Sequence, residues 1–149
     1  MAHKPTNEVV GVSWLRSLPG IPPNGVSTAL PKDNSTWEAS GFITVQTVGG
    51  QPDMYNPWNQ PVFQILCWAN RANSEKVPWG KANNLAEIIK DACYGHPELY
   101  GHVATPSQFK DARVLSCYLL SEPRKVQADE ARFAVYEFEL QMYWVAIDE

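Results

Sequence analysis

The sequence predicts an α+β domain: a mostly antiparallel or mixed β-sheet packed by two helices, in the order α-β-β-β-α-β-β. Three stretches lead there. In KANNLAEIIKDAC, Leu85, Ile88, Ile89 and Ala92 recur at i, i+3, i+4 and i+7, while Lys81, Asn84, Glu87 and Asp91 lie off that stripe, as in an amphipathic helix. In ARFAVYEFELQMYWVA, period two runs from Tyr136 to Met142, so this strand has one core face and one face toward water or a partner. PVFQILCWA is apolar on both sides, Phe63, Ile65 and Cys67 opposing Val62, Leu66 and Trp68, and is expected to be a central strand covered on both faces. Helices placed among strands in this order fit a sheet with helices packed on it.

The remaining elements follow in order. Residues 1–7 are expected to form a flexible N-terminal segment of a single domain spanning 1–149. Thr6 or Asn7 can cap a helix starting at Glu8, an acid suited to a helix N-terminus. Val10, Trp14, Leu15 and Leu18 keep helical spacing until Pro19-Gly20 stops it. IPPNG is a turn, VSTALP a short edge strand before Pro31, and KDNSTWEAS a polar loop. GFITVQTV is β-branched and aromatic and ends at Gly49-Gly50. The connection GGQPDMYNPWNQ is far longer than a hairpin needs, and NRANSEKVPWG is a second long loop. Gly95 and Pro97 end the amphipathic helix. GHPELYGHVATPSQFK reads as irregular; ARVLSCYLLS is a strand, and EPRKVQADE links it to the last one.

A chain of 149 residues is the size of one domain and can form a core without staples. Its net charge of -4 and pI near 5.4 do not describe a general nucleic-acid binder, which would show a basic face. Cys67, Cys93 and Cys117 have no metal-ligand spacing and lie in apolar runs, so reduced, buried thiols are expected. MAHKPTNE lacks the apolar region of a signal peptide, and no run reaches the ~18 apolar residues of a membrane span, so folding in a reducing cytoplasm is expected.

Candidate chemistry is sparse. Glu137 and Glu139 share a strand face roughly 6.5–7 Å apart, which touches the spacing of an inverting glycosidase pair. Catalytic carboxylates, however, act in clefts that shift one pKa, and alternating glutamates are what a solvated strand face carries. A negative surface patch is therefore the expectation. His96 and His102, with Glu98 between, sit in a stretch broken by Pro and Gly and read as surface histidines, not metal ligands. No GxSxG, P-loop or GxGxxG pattern is present, so neither an enzyme nor a cofactor is expected. Trp37, Tyr55, Trp58 and Trp79 instead lie at or near loops, where they either fold back over the core or anchor contacts with other proteins.

VSWLRSLPG, GFITVQTVGG, a variable loop, PVFQILCWA, PWGKANNLAEIIKDA and RFAVYEFELQMYW together resemble the tail terminator (tail completion) proteins of long-tailed bacteriophages, with the lambda-type terminator fold, over about residues 8 to 147. The resemblance implies a non-enzymatic homohexameric ring that caps the tail tube once its length is reached. Such a ring meets the tail tube protein on one side and a neck or head-completion protein on the other, while DNA passes through its lumen without specific binding. It also implies a place in the virion at the head-proximal end of the tail, assembly in the host cytoplasm, and no membrane. Interface residues are then expected at Tyr55, Trp58, Arg71, Lys76 and Trp79. Glu137 and Glu139 become candidates for an acidic lumen, which repels DNA phosphates and lets the duplex slide, or for an inter-subunit face. The alternatives are a head-side neck or head-completion protein, a small hydrolase built on the Glu pair, and a monomeric ligand-binding module.

Overall fold

A computed structural model describes residues 2–32, 37, 40–52, 55–70, 78–126 and 133–147. The elements among the described residues are α1 (Asn7–Ser17), β1 (Val26–Ser27), β2 (Phe42–Gly49), β3 (Val62–Asn70), α2 (Trp79–Cys93), β4 (Gly101–Val103), β5 (Ala112–Leu119), β6 (Arg124–Val126) and β7 (Phe133–Ala146), with a 3-10 turn at Pro97–Leu99. Among the described residues the strands form one seven-stranded mixed sheet in the order β1-β2-β3-β7-β5-β4, with β6 also paired to β7. The α+β class is as the sequence predicts.

Several elements differ in detail. VSTALP contributes only Val26–Ser27, and this edge strand runs parallel to β2. Residues 101–103, inside a stretch read as irregular, pair with β5. Arg124–Val126, inside the expected link EPRKVQADE, pair with β7 through Arg124↔Glu137 and Val126↔Val135. Because β5 pairs the same side of β7, from Ala112↔Ala146 to Leu119↔Leu140, β5 and β6 act as one interrupted strand of a long hairpin. Strands of two or three residues show no periodicity, which is why the sequence pattern passes over them.

Helix α1 starts where its capping chemistry places it: Thr6 is the N-cap, and its Oγ1 accepts from Val9 N at 3.3 Å. Glu8 does more than sit at the positive helix end, since its Oε2 accepts from Thr47 N (2.9 Å) beside the irregularity at the end of β2. Ahead of the helix, His3 N donates to Gln108 O and Lys110 N donates to His3 O, tying the start of the chain to the loop before β5.

Both helices pack on one sheet face. Val10, Trp14 and Leu15 of α1 and Leu85, Ala86 and Ile89 of α2 share a buried cluster with Phe63, Ile65 and Cys67 of β3 and Phe138, Leu140 and Met142 of β7. The fit is close: a Cβ on Gly11 would lie 2.9 Å from the Phe63 ring, and one on Gly41 would lie 2.8 Å from Leu85. The α2 stripe is centred on Ala82, Leu85, Ala86, Ile89, Ala92 and Cys93; Ile88 sits at its margin, half-buried over Gly20. All three cysteines are free and buried, and burial pushes the Cys93 thiol up to about 12 and those of Cys67 and Cys117 well above their ordinary range.

The second sheet face is where the expectation for β3 fails. β3 is central, between β2 and β7, but Val62, Gln64, Leu66 and Trp68 are only half-buried, because no described helix crosses their side. Among the described residues, one end of that face is covered. There Trp37, 2% exposed, lies against Phe42 and Phe133, and Phe133 meets Trp68 edge-on.

Candidate interaction surface

The loop after β2 is fixed at its root and presented at its tip. Gly50 turns with φ +95, and a Cβ there would lie 2.3 Å from Gln60 O, so only glycine lets the two limbs touch. The returning limb joins the sheet before β3 formally begins. Asn59 N donates to Trp144 O (2.7 Å), Trp144 N donates to Asn59 O (3.0 Å), and Met142 N donates to Pro61 O (3.1 Å). The Gln141 side chain adds a bond to Gln60 O at 2.8 Å. Beyond this clamp Tyr55 is 89% exposed and Trp58 is half-buried.

Trp79 opens α2 and is half-buried, edge-on to Tyr136 at 6.0 Å, with Lys125 Nζ 5.1 Å from its ring centre. Arg71 and Lys76 lie outside the described residues. Trp37, considered with these aromatics, covers its own fold.

Glu137 and Glu139 occupy the open sheet face, opposite Leu66 and Gln64 of β3. They are not equivalent. Arg124 of β6 reaches across to donate to Glu137 Oε1, which neutralises one of the two charges, while Glu139 N donates to Ser121 Oγ at 3.3 Å. The expected acidic patch is thus reduced by a partner that sequence reasoning placed in a loop. Glu139 lies in a polar row, with Gln46, Gln64 and Glu139 side by side across β2, β3 and β7.

Farther along, the same face changes character. A register shift between Val114 and Ser116 puts Leu115 and Ser116 together between buried Val114 and Cys117. Leu115 is 44% exposed, Tyr118 38% and Leu120 47%, and Tyr118 stacks on Tyr143 at 6.3 Å. The sequence signal is RVLSCYLLS, whose apolar residues do not keep the strict alternation of a strand with one solvated face.

The histidines are surface groups. His96 contacts Glu98 (3.1 Å) and Asp91 (3.3 Å), and chiefly the Glu98 hydrogen bond holds its pKa above the ordinary range. His102 Nε2 lies 2.7 Å from Asp111 Oδ2, in a groove of about 560 Å³ that Lys110 and Arg113 also line. The Thr105 N–H, and after it His102, lower the Asp111 pKa. Among the described residues no group of His, Cys, Asp and Glu is placed to hold a metal ion, and no helix is long and apolar enough to cross a membrane.

Fold and surface together define a single-sheet α+β protein with one packed face, one largely open face and a clamped aromatic loop. Comparison with solved structures finds the same fold in a chain of the "Virion of native gene transfer agent (GTA) particle", with a TM-score of 0.58 over 93% of this chain and 98% of that one, at 14% identity. The sequence matches no protein-family model and no curated protein.

Proposed function

We propose that this chain is a structural virion protein that forms a hexameric ring on the head-proximal end of a phage-type tail tube, ends tube elongation and offers the surface for joining the head. The observation that carries this reading is the fold shared, across nearly the full length of both chains, with a component of a gene transfer agent virion. Three features support it. The two adjacent carboxylates of the sheet lie on an open face, one of them ion-paired. A clamped loop presents Tyr55 as an anchor of large area and low side-chain entropy. The row of Gln46, Gln64 and Glu139, in a chain of net charge -4, suits a lumen past which DNA slides.

In this reading Tyr55 and Trp58 contact a neighbouring subunit or the tube, and Trp79, Arg71 and Lys76 contribute to the same contacts. The partners are further copies of the chain, the tail tube protein and a neck or head-completion protein; no catalysis is involved. Tubes assembled from tail tube protein with and without this chain provide the test. Labelled chain should appear at one end of each tube, and tubes should lengthen without it. Label found on DNA-filled heads that lack tails would assign the protein to the head side of the neck.

A further inference from the structure

His96 stands between two carboxylates, one on each side of its ring. Its Nε2 lies 3.3 Å from Asp91 Oδ2 near the end of α2, and its Nδ1 lies 3.1 Å from Glu98 Oε1 in the 3-10 turn. A neutral imidazole has one N–H and one lone pair, so it can donate to one of these carboxylates; the imidazolium donates to both. We infer that His96 is a proton-operated clasp: protonated, it ties the 96–98 arm to α2, and on losing its proton it releases one carboxylate and lets the arm swing off the cleft beside it.

Three features make this arm the part that moves. It lines a cleft of about 270 Å³, in which the three members of the clasp face apolar Leu18, Ile88 and Leu99. At its start Gly95 turns with φ +76 in open space, with no atom within 4 Å of where a Cβ would stand, so the backbone there is free to swivel. Its far end is pinned, because Trp14 Nε1 donates to Leu99 O at 2.9 Å and the Tyr100 hydroxyl donates to Cys93 O at 2.7 Å. Between hinge and pin the arm is held by the clasp and by the bonds of its own turn, Leu99 N to His96 O (3.0 Å) and Tyr100 N to Pro97 O (3.2 Å).

The charged groups that face His96 are Asp91 from α2 and Glu98 from the turn, while the end of α1 brings uncharged Leu18 and Pro19 to the cleft. Lys90, in the last turn of α2, is engaged by Glu122 at 2.6 Å. Chiefly the Glu98 hydrogen bond raises the folded pKa of His96, so the clasp is complete below the unfolded value of about 6.5 and opens as pH rises through the folded value. Both carboxylates are exposed, so the clasp decides the position of the arm more than the stability of the fold.

Nitrogen-15 NMR of the His96 ring in the full chain, with amide hydrogen-exchange protection followed from about pH 5.5 to about pH 8.5 on either side of the ordinary histidine value, tests the clasp. At the acid end both ring nitrogens should carry protons, and the Leu99 and Tyr100 amides should be protected. As His96 titrates, the protection factors of these two amides should fall several-fold while those of β3 and β7 stay level. Glu98→Gln should move the titration to lower pH, and His96→Ala should leave Leu99 and Tyr100 weakly protected across the whole range. A ring that titrates no higher than about 6.5 would overturn the inference. So would Leu99 and Tyr100 protection that follows neither the titration nor His96→Ala. An equal loss of protection in β3 and β7 would mean loosening of the whole fold, and would overturn it as well.

Discussion

The two faces of the sheet are made by the same strands and differ in what covers them. On the packed face, Phe63, Ile65, Phe138 and Leu140 are fully buried under two helices. On the other, the same strands show Gln64, Leu66, Glu139 and Tyr143 half-buried, and β5 shows Leu115 and Tyr118 to solvent. Stability therefore lives on one face, and substitutions at exposed positions of the other should change it little. The glutamine-rich half and the apolar half of that open face then suggest two separate uses.

The comparison breaks most readily by truncating the packed face. Phe138→Ala should cost about 3–5 kcal/mol in urea unfolding, the usual range for a buried phenylalanine. Ile89→Ala should cost about 2–5 kcal/mol and Ile88→Ala clearly less, because Ile88 lies at the stripe margin. Equal losses at the two positions would put Ile88 in the core after all.

Next in size is the loop root. Gly50→Ala forces a side chain into Gln60 O at a positive φ and should destabilise by more than about 1 kcal/mol. Tyr55→Ser, a few residues along, should leave the thermal midpoint of the isolated chain nearly unchanged while ring or tail attachment fails. A large loss of stability at Tyr55 would make the loop tip a lid on its own fold.

On the open face, Leu115→Glu should change unfolding free energy by no more than about 0.5 kcal/mol. Arg124→Ala, which breaks a pair with a half-exposed guanidinium, should cost under about 1 kcal/mol.

The smallest effect is a pH term. His96 has a raised folded pKa, chiefly from Glu98 and then Asp91, so its contribution is complete below the unfolded value of about 6.5 and is lost as pH rises through the folded value. Asp111 works the other way, its lowered pKa giving a contribution present above about 3.9 and lost as pH falls through the folded value. Denaturant midpoints on either side of pH 6.5 should show the first term shrink in Glu98→Gln.

What could be read from sequence tracks how local the cause is. The cap at Thr6, the α2 stripe and the alternation of β7 arise from neighbours along the chain, and all three appear, with Ile88 at the margin of the stripe and the alternation of burial clean from Phe138 to Trp144 instead of from Tyr136. The pairing of β4 and β6, the Arg124–Glu137 bridge and the clamp of Asn59 on Trp144 join residues far apart in sequence within very short segments, so no period announces them. The half-covered side of β3 has a similar origin. Apolarity on both faces of a strand signals burial, but it cannot distinguish a second helix layer from a partner protein.

The claim that this chain caps tubes as a ring is tested most directly by imaging tube ends in its presence and measuring the mass of the bound species. The account predicts a six-fold ring of six 16.7 kDa chains, about 100 kDa, at one end of each tube. A ring of another symmetry, or a chain that stays monomeric beside bare tube ends, would contradict it.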